Sequence, residues 1–116
     1  MSGVVIYHNP ACGTSRNVLQ MIRDAGVEPT VVEYLKAGWD EAQLRGLLAQ
    51  MKASPVDVLR VRGTAAEDLG LTAPGVTDAT ILKAMAAHAV LVERPIVVTP
   101  KGAALCRPKE RVLDLL

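Results

Sequence analysis

The chain has 116 residues, half of them hydrophobic and 22% charged, with Lys+Arg 13 against Asp+Glu 12. That balance describes one globular domain, able to bury roughly two thirds of its unfolded surface, and excludes a disordered chain. A net charge of +1 supplies no field to draw nucleic acid or an acidic membrane, and 3% aromatic content leaves little to stack on bases.

Met1-Ser2-Gly3 carries no positive region and the apolar run after it is short, so the start reads as a strand and not a signal peptide. No apolar stretch approaches transmembrane length. Two cysteines, Cys12 and Cys106, give no disulfide framework and no zinc or other metal site. The expected compartment is cytoplasmic, where a thiol stays reduced.

Val4-Val5-Ile6-Tyr7 is the first predicted strand, followed by the loop His8-Asn9-Pro10-Ala11 and a helix. Val18, Leu19, Ile22 and Ala25 have amphipathic helical spacing, Thr14 and Ser15 are candidate caps, and Gly26 is the stop. Thr30-Val31-Val32-Glu33-Tyr34-Leu35 is a β-branched second strand, which completes a βαβ unit with parallel strands. Lys36-Ala37-Gly38 breaks it. Asp40 opens a helix with Gln43 in the capping-box position and Leu44, Leu47, Leu48 and Met51 on one face.

Ser54-Pro55 starts a short helix reaching about Arg60, and Thr64-Ala65-Ala66-Glu67 is a further capping box. Thr77 or Asp78 caps a helix carrying Ile81, Leu82 and Met85, which ends near His88. Ile96-Val97-Val98-Thr99, the turn Pro100-Lys101-Gly102 and Ala103-Ala104-Leu105-Cys106 form a predicted hairpin. Pro108 begins a last helix with Val112, Leu113 and Leu116 on one face. The fold class is therefore α/β. The order β-α-β, helical block, β-β-α is that of a thioredoxin-like sheet with a helical insertion at about 40–90, in a single domain spanning 1–116.

Cys12 stands where strand and loop give way to helix. Unpaired N–H groups and the positive end of the helix dipole there favour the thiolate, although a free cysteine is also commonly a small buried hydrophobe. Three arginines stand at element ends: Arg60, Arg94 just before Pro95, and Arg107 just before Pro108. In a thioredoxin-like layout the loop before the third strand faces the cysteine loop, so Arg94 can reach Cys12. Guanidiniums would hold a tetrahedral oxyanion and lower the thiol's pKa; alternatively each is a solvated surface residue. The residue three after Cys12 is Ser15, so no C-x-x-C disulfide forms. Alternation along a strand points Cys106 away from the site if Arg107 faces it.

His8-Asn9-Pro10-Ala11-Cys12-Gly13-Thr14-Ser15-Arg16-Asn17, Glu93-Arg94-Pro95-Ile96-Val97-Val98-Thr99-Pro100 and Leu105-Cys106-Arg107-Pro108 resemble the glutaredoxin-dependent arsenate reductases over essentially the whole chain. The resemblance implies Cys12 as nucleophile and Arg60, Arg94 and Arg107 as ligands of arsenate or another tetrahedral oxyanion. It also implies glutathione as co-substrate and glutaredoxin as partner, with no bound cofactor. Similar enzymes place a histidine at His8, which either stabilises the thiolate or holds the loop through backbone bonds; Asn9 and Ser15 are candidate donors nearby. A C-x5-R phosphatase is excluded, because Val18 falls where its arginine belongs. Two alternatives stay open: a glutathione-dependent thiol oxidoreductase, and a regulator similar to the RNA polymerase-binding Spx proteins.

Overall fold

Strand β1 (Val5–His8) pairs in parallel with β2 (Thr30–Glu33) and antiparallel with β3 (Ile96–Thr99), which pairs antiparallel with β4 (Gly102–Leu105). The resulting order, β2-β1-β3-β4, is the sheet of a thioredoxin-like fold. This is a computed structural model that describes residues 3–116, so the reading of Met1 and Ser2 lies outside the described residues. The chain divides into two units, one formed by residues 1–37 and 94–116, the other by 38–93.

In the first unit, helix α1 (Gly13–Asp24) buries Val18 and Ile22 against Val4, Ile6, Val97, Val112 and Leu115. Each such Val or Ile contributes roughly 1.5–3 kcal/mol relative to exposure. The helix stops at Gly26, whose φ of 84° only glycine adopts without strain. Gly26 N–H donates to Arg23 O at 2.9 Å and Val27 N–H to Ile22 O at 3.3 Å, and Val27 packs on the core beside Ile22. That is a Schellman ending with its hydrophobic contact. Ala25, expected on the buried face, is instead the exposed C-cap.

Three other local readings are corrected in this unit. The α1 N-cap is Cys12, not Thr14 or Ser15. The second strand ends at Glu33 and the chain turns into the short helix α2 (Tyr34–Ala37), burying Tyr34. The C-terminal Lys109–Leu115 is a 3-10 helix. With three residues per turn, Val112 and Leu115 face the core together and Leu113 is left exposed.

The second unit is mostly helical. In α3 (Glu41–Met51), Asp40 accepts a hydrogen bond from the Gln43 N–H at 2.7 Å, and Leu44, Leu47 and Leu48 are buried. A 3-10 turn at Pro55–Val58 follows, held where Asp57 accepts the Ser54 N–H at 2.8 Å. Residues 64–71 are turns without a helix; Thr64 Oγ1 lies 2.7 Å from Arg60 O and accepts from the Ala66 N–H at 3.2 Å, so its hydroxyl serves a local turn. Helix α4 (Asp78–Ala87), capped by Thr77 and ending at His88, buries Ile81, Leu82 and Met85 and packs on α3.

Candidate active site

Register brings the first unit's chemistry to one end of the sheet. Tyr7, near the end of β1, pairs with Ile96 at the start of β3, and Ile96 pairs with Leu105 at the end of β4. The residues leaving β1, those entering β3 and those leaving β4 must therefore emerge together: the Cys12 loop, Arg94 and Arg107. Both arginines precede prolines through cis peptide bonds.

Arg107 Nη1 donates to Cys12 Sγ at 3.9 Å and to the Arg94 carbonyl at 3.1 Å. Burial pushes the Cys12 thiol up. The Ser15 backbone N–H, the hydrogen bond and charge of Arg94, and the Arg107 hydrogen bond outweigh it and bring the thiol from 9.0 down to about 7. Cys12 is the N-cap residue, and although Sγ makes no capping bond of ordinary geometry, the first-turn N–H still favours its ionised form. A substantial fraction is thiolate at neutral pH.

The loop is held from beneath. His8 Nδ1 and Ser15 Oγ are 2.6 Å apart, and Ser15 Oγ accepts the Asn9 N–H at 3.1 Å. Asn9 Oδ1 accepts the Ala11 N–H at 3.0 Å, and its carbonyl accepts the Cys12 N–H at 3.0 Å. His8, Asn9 and Ser15 are buried. His8 therefore binds through the Ser15 side chain and neither bonds Cys12 nor appears among the charges acting on it. Burial depresses the His8 pKa, opposed by Glu33 and helped by Arg23 and Arg16, so the neutral ring is favoured.

Of the residues singled out in the sequence, His8, Asn9, Cys12, Ser15, Arg94 and Arg107 lie together in this unit. Arg60 belongs to the second unit, where its Nη1 donates to Glu93 Oε1 at 2.8 Å, both side chains partly buried. Cys106 is fully buried in the first unit's core, where burial pushes its thiol up to about 11 despite Arg111. Sequence reading passed over Arg16, whose signal is its place one helical turn after Cys12. Its Nη1 donates to the Pro10 carbonyl at 2.9 Å.

A depressed thiolate held beside two guanidiniums at the end of a thioredoxin-like sheet defines a thiol enzyme suited to an anionic substrate. The chain belongs to the ArsC family, whose model matches residues 7–115. It is 57% identical over 113 residues to the Synechocystis protein named arsenate reductase ArsI2, covering 97% of this chain and 81% of that one. It is 49% identical to an Escherichia coli arsenate reductase over 116 residues, 100% of this chain and 82% of the relative. The solved arsenate reductase from Vibrio cholerae superposes with a TM-score of 0.92 at 37% identity, covering 97% of each chain.

Proposed function

We propose that the protein is an arsenate reductase in which the Cys12 thiolate attacks arsenic(V), with Arg94 and Arg107 holding the oxyanion. The observation that carries this reading is the Cys12 thiol at about 7 between those two guanidiniums. Arg60 is assigned to the oxyanion on the family resemblance.

The sulfur forms an S–As bond and a hydroxide leaves, taking up a proton as water. Glutathione then enters and an S–S bond forms between it and Cys12. The S–As bonding pair stays on arsenic, which is reduced to As(III) and departs as arsenite. A glutaredoxin thiolate attacks the glutathione sulfur of the mixed disulfide and returns Cys12 as thiolate. An outside thiol is needed because Ser15 stands where a C-x-x-C partner would be and Cys106 is sealed in the core. No step draws on a bound cofactor. A reduced glutathione pool makes the cytoplasm the compartment we assign. Among the described residues no helix is long and apolar enough to cross a membrane.

Phosphate and sulfate share the tetrahedral charge and should compete, but thiols do not reduce phosphorus(V). The test is arsenate turnover coupled to glutathione and glutaredoxin, with and without phosphate, in wild type, Cys12→Ser and single Arg60, Arg94 and Arg107→Ala variants. Cys12→Ser should lose on the order of 10³-fold or more while staying folded. Wild type that reduces glutathionylated disulfides but shows no arsenate-dependent turnover would make the protein a thiol oxidoreductase instead. Turnover unchanged in all three arginine variants would move the oxyanion site elsewhere.

A further inference from the structure

We propose that Arg16 is a docking residue for the carboxylate of the anionic thiol that reacts at Cys12. This rests on the glutathione-dependent reading above and adds where that thiol is held. Arg16 lies in the first turn of α1, its backbone N–H donating to the Cys12 carbonyl at 3.0 Å. Its side chain does not extend away from the site. The bond from Nη1 to the Pro10 carbonyl folds the guanidinium back over the loop, and a Cβ built on Gly13 would lie 3.7 Å from Nη2. The guanidinium thus sits between Pro10 and Gly13, the residues on either side of the Ala11-Cys12 pair.

Three further observations fit a docking role. Pro10, Ala11, Gly13 and Arg16 are all exposed, whereas Arg94 and Arg107 are partly buried, so Arg16 is on the rim of the site. The first turn of α1 has no acidic residue, and none of the ion pairs among the described residues involves Arg16. Nη2 and Nε stay available with Nη1 engaged, and they form the edge of the guanidinium that grips a carboxylate bidentately. Nor is Arg16 among the main activators of the nucleophile: the groups that chiefly pull the Cys12 thiol down are Ser15, Arg94 and Arg107. A cation beside the nucleophile that is not one of its main activators and pairs with no acid suits an incoming charge. Glutathione brings two carboxylates on the same molecule as its thiol.

The test compares an anionic thiol, glutathione, with a neutral one, 2-mercaptoethanol, in arsenate turnover by the full chain. The readout is the ratio of their kcat/KM values in wild type, Arg16→Gln and Arg16→Lys. The ratio should fall about three- to fivefold in Arg16→Gln, as for loss of an exposed ion pair, and recover in part in Arg16→Lys. It should also fall in wild type as salt rises, because an exposed pair is screened. The alkylation rate of Cys12 by iodoacetate relative to iodoacetamide is a second readout that needs no arsenate, and the thiolate fraction cancels from it. That ratio should fall in Arg16→Gln too. A thiol ratio equal to wild type, or a rise in arsenate KM as the sole effect, overturns the proposal. If arsenate turnover is absent from wild type, the substrate reading falls and the alkylation ratio alone decides on Arg16: a fall upholds a carboxylate-docking role, and no change overturns it.

Discussion

Arg107 ties the nucleophile to the far strand of the sheet: one nitrogen, Nη1, donates both to Cys12 Sγ at 3.9 Å and to the Arg94 carbonyl at 3.1 Å. On the function proposed above, its remaining N–H groups would hold the oxyanion. Activation of the thiol and binding of substrate would then draw on different edges of one side chain.

Arg107→Lys should separate those two tasks. An ammonium keeps a charge and a donor near sulfur but has no planar fork. The inflection in Cys12 alkylation should move only slightly, while kcat/KM for arsenate drops about tenfold or more, as for loss of a hydrogen bond to a charged group. Equal losses in both measurements would mean that the two tasks are not divided this way.

Alkylation of Cys12 should rise with pH through an inflection near 7, and Arg94→Ala should shift that inflection upward. The folded value lies below the ordinary 9.0, so ionisation of Cys12 contributes stability in full above 9.0 and loses it as pH falls through about 7. Urea titrations of wild type and Cys12→Ser across that window should diverge at the alkaline end. Parallel curves would show that the thiolate is not stabilised by the fold.

Cys106 should resist alkylation in the native protein and react only on unfolding, since it is fully buried with its thiol at about 11. Here the folded value is raised, so its contribution to stability is complete below 9.0 and declines as pH climbs toward 11. Cys106→Ser should keep arsenate turnover but lose about 1–3 kcal/mol, the cost of a hydroxyl in an apolar site. Loss of turnover in a folded Cys106→Ala variant would argue for an internal disulfide.

Ser15→Ala should orphan His8 Nδ1 and the Asn9 N–H, both bonded to the buried hydroxyl. The expected cost is about 1–3 kcal/mol, seen as a Tm lower by several degrees. The Ser15 backbone N–H survives, so the alkylation inflection of Cys12 should move less than in Arg94→Ala. An unchanged Tm would show that water takes the place of the hydroxyl.

The βαβ unit, the hairpin and the α4 cap were legible because each rests on local chemistry: β-branched runs, a Pro-Lys-Gly turn, a Thr at the helix start. What was not legible depends on what the chain meets after it folds. Ser15 is a residue type that often caps, but the helix begins at Gly13 with Cys12 as its N-cap, and the Ser15 hydroxyl is bonded under the loop to His8. Val112, Leu113 and Leu116 fit an α-helical stripe, and only packing on the sheet and α1 selects the 3-10 period that turns Leu113 outward. Tyr34 continues a strand pattern until burial of its ring pulls the chain into α2. Near the site, the sequence offers Arg94 and Arg107 as element-end arginines; that they meet at Cys12 follows from the pairing of β3 with both β1 and β4.

That pairing also sets a timetable. The first unit is assembled from residues 1–37 and 94–116, so its N-terminal piece leaves the ribosome long before its closing strands exist. Until β3 and β4 are made, the nascent chain carries Cys12 without either of the cations that sharpen it, and of the groups that pull the thiol down only the Ser15 N–H is present. The full set of groups acting on the thiol exists only once Arg94 and Arg107 have been made. Nascent chains arrested before Arg94 should therefore label more slowly with iodoacetamide at pH 7 than chains extended well past Arg107.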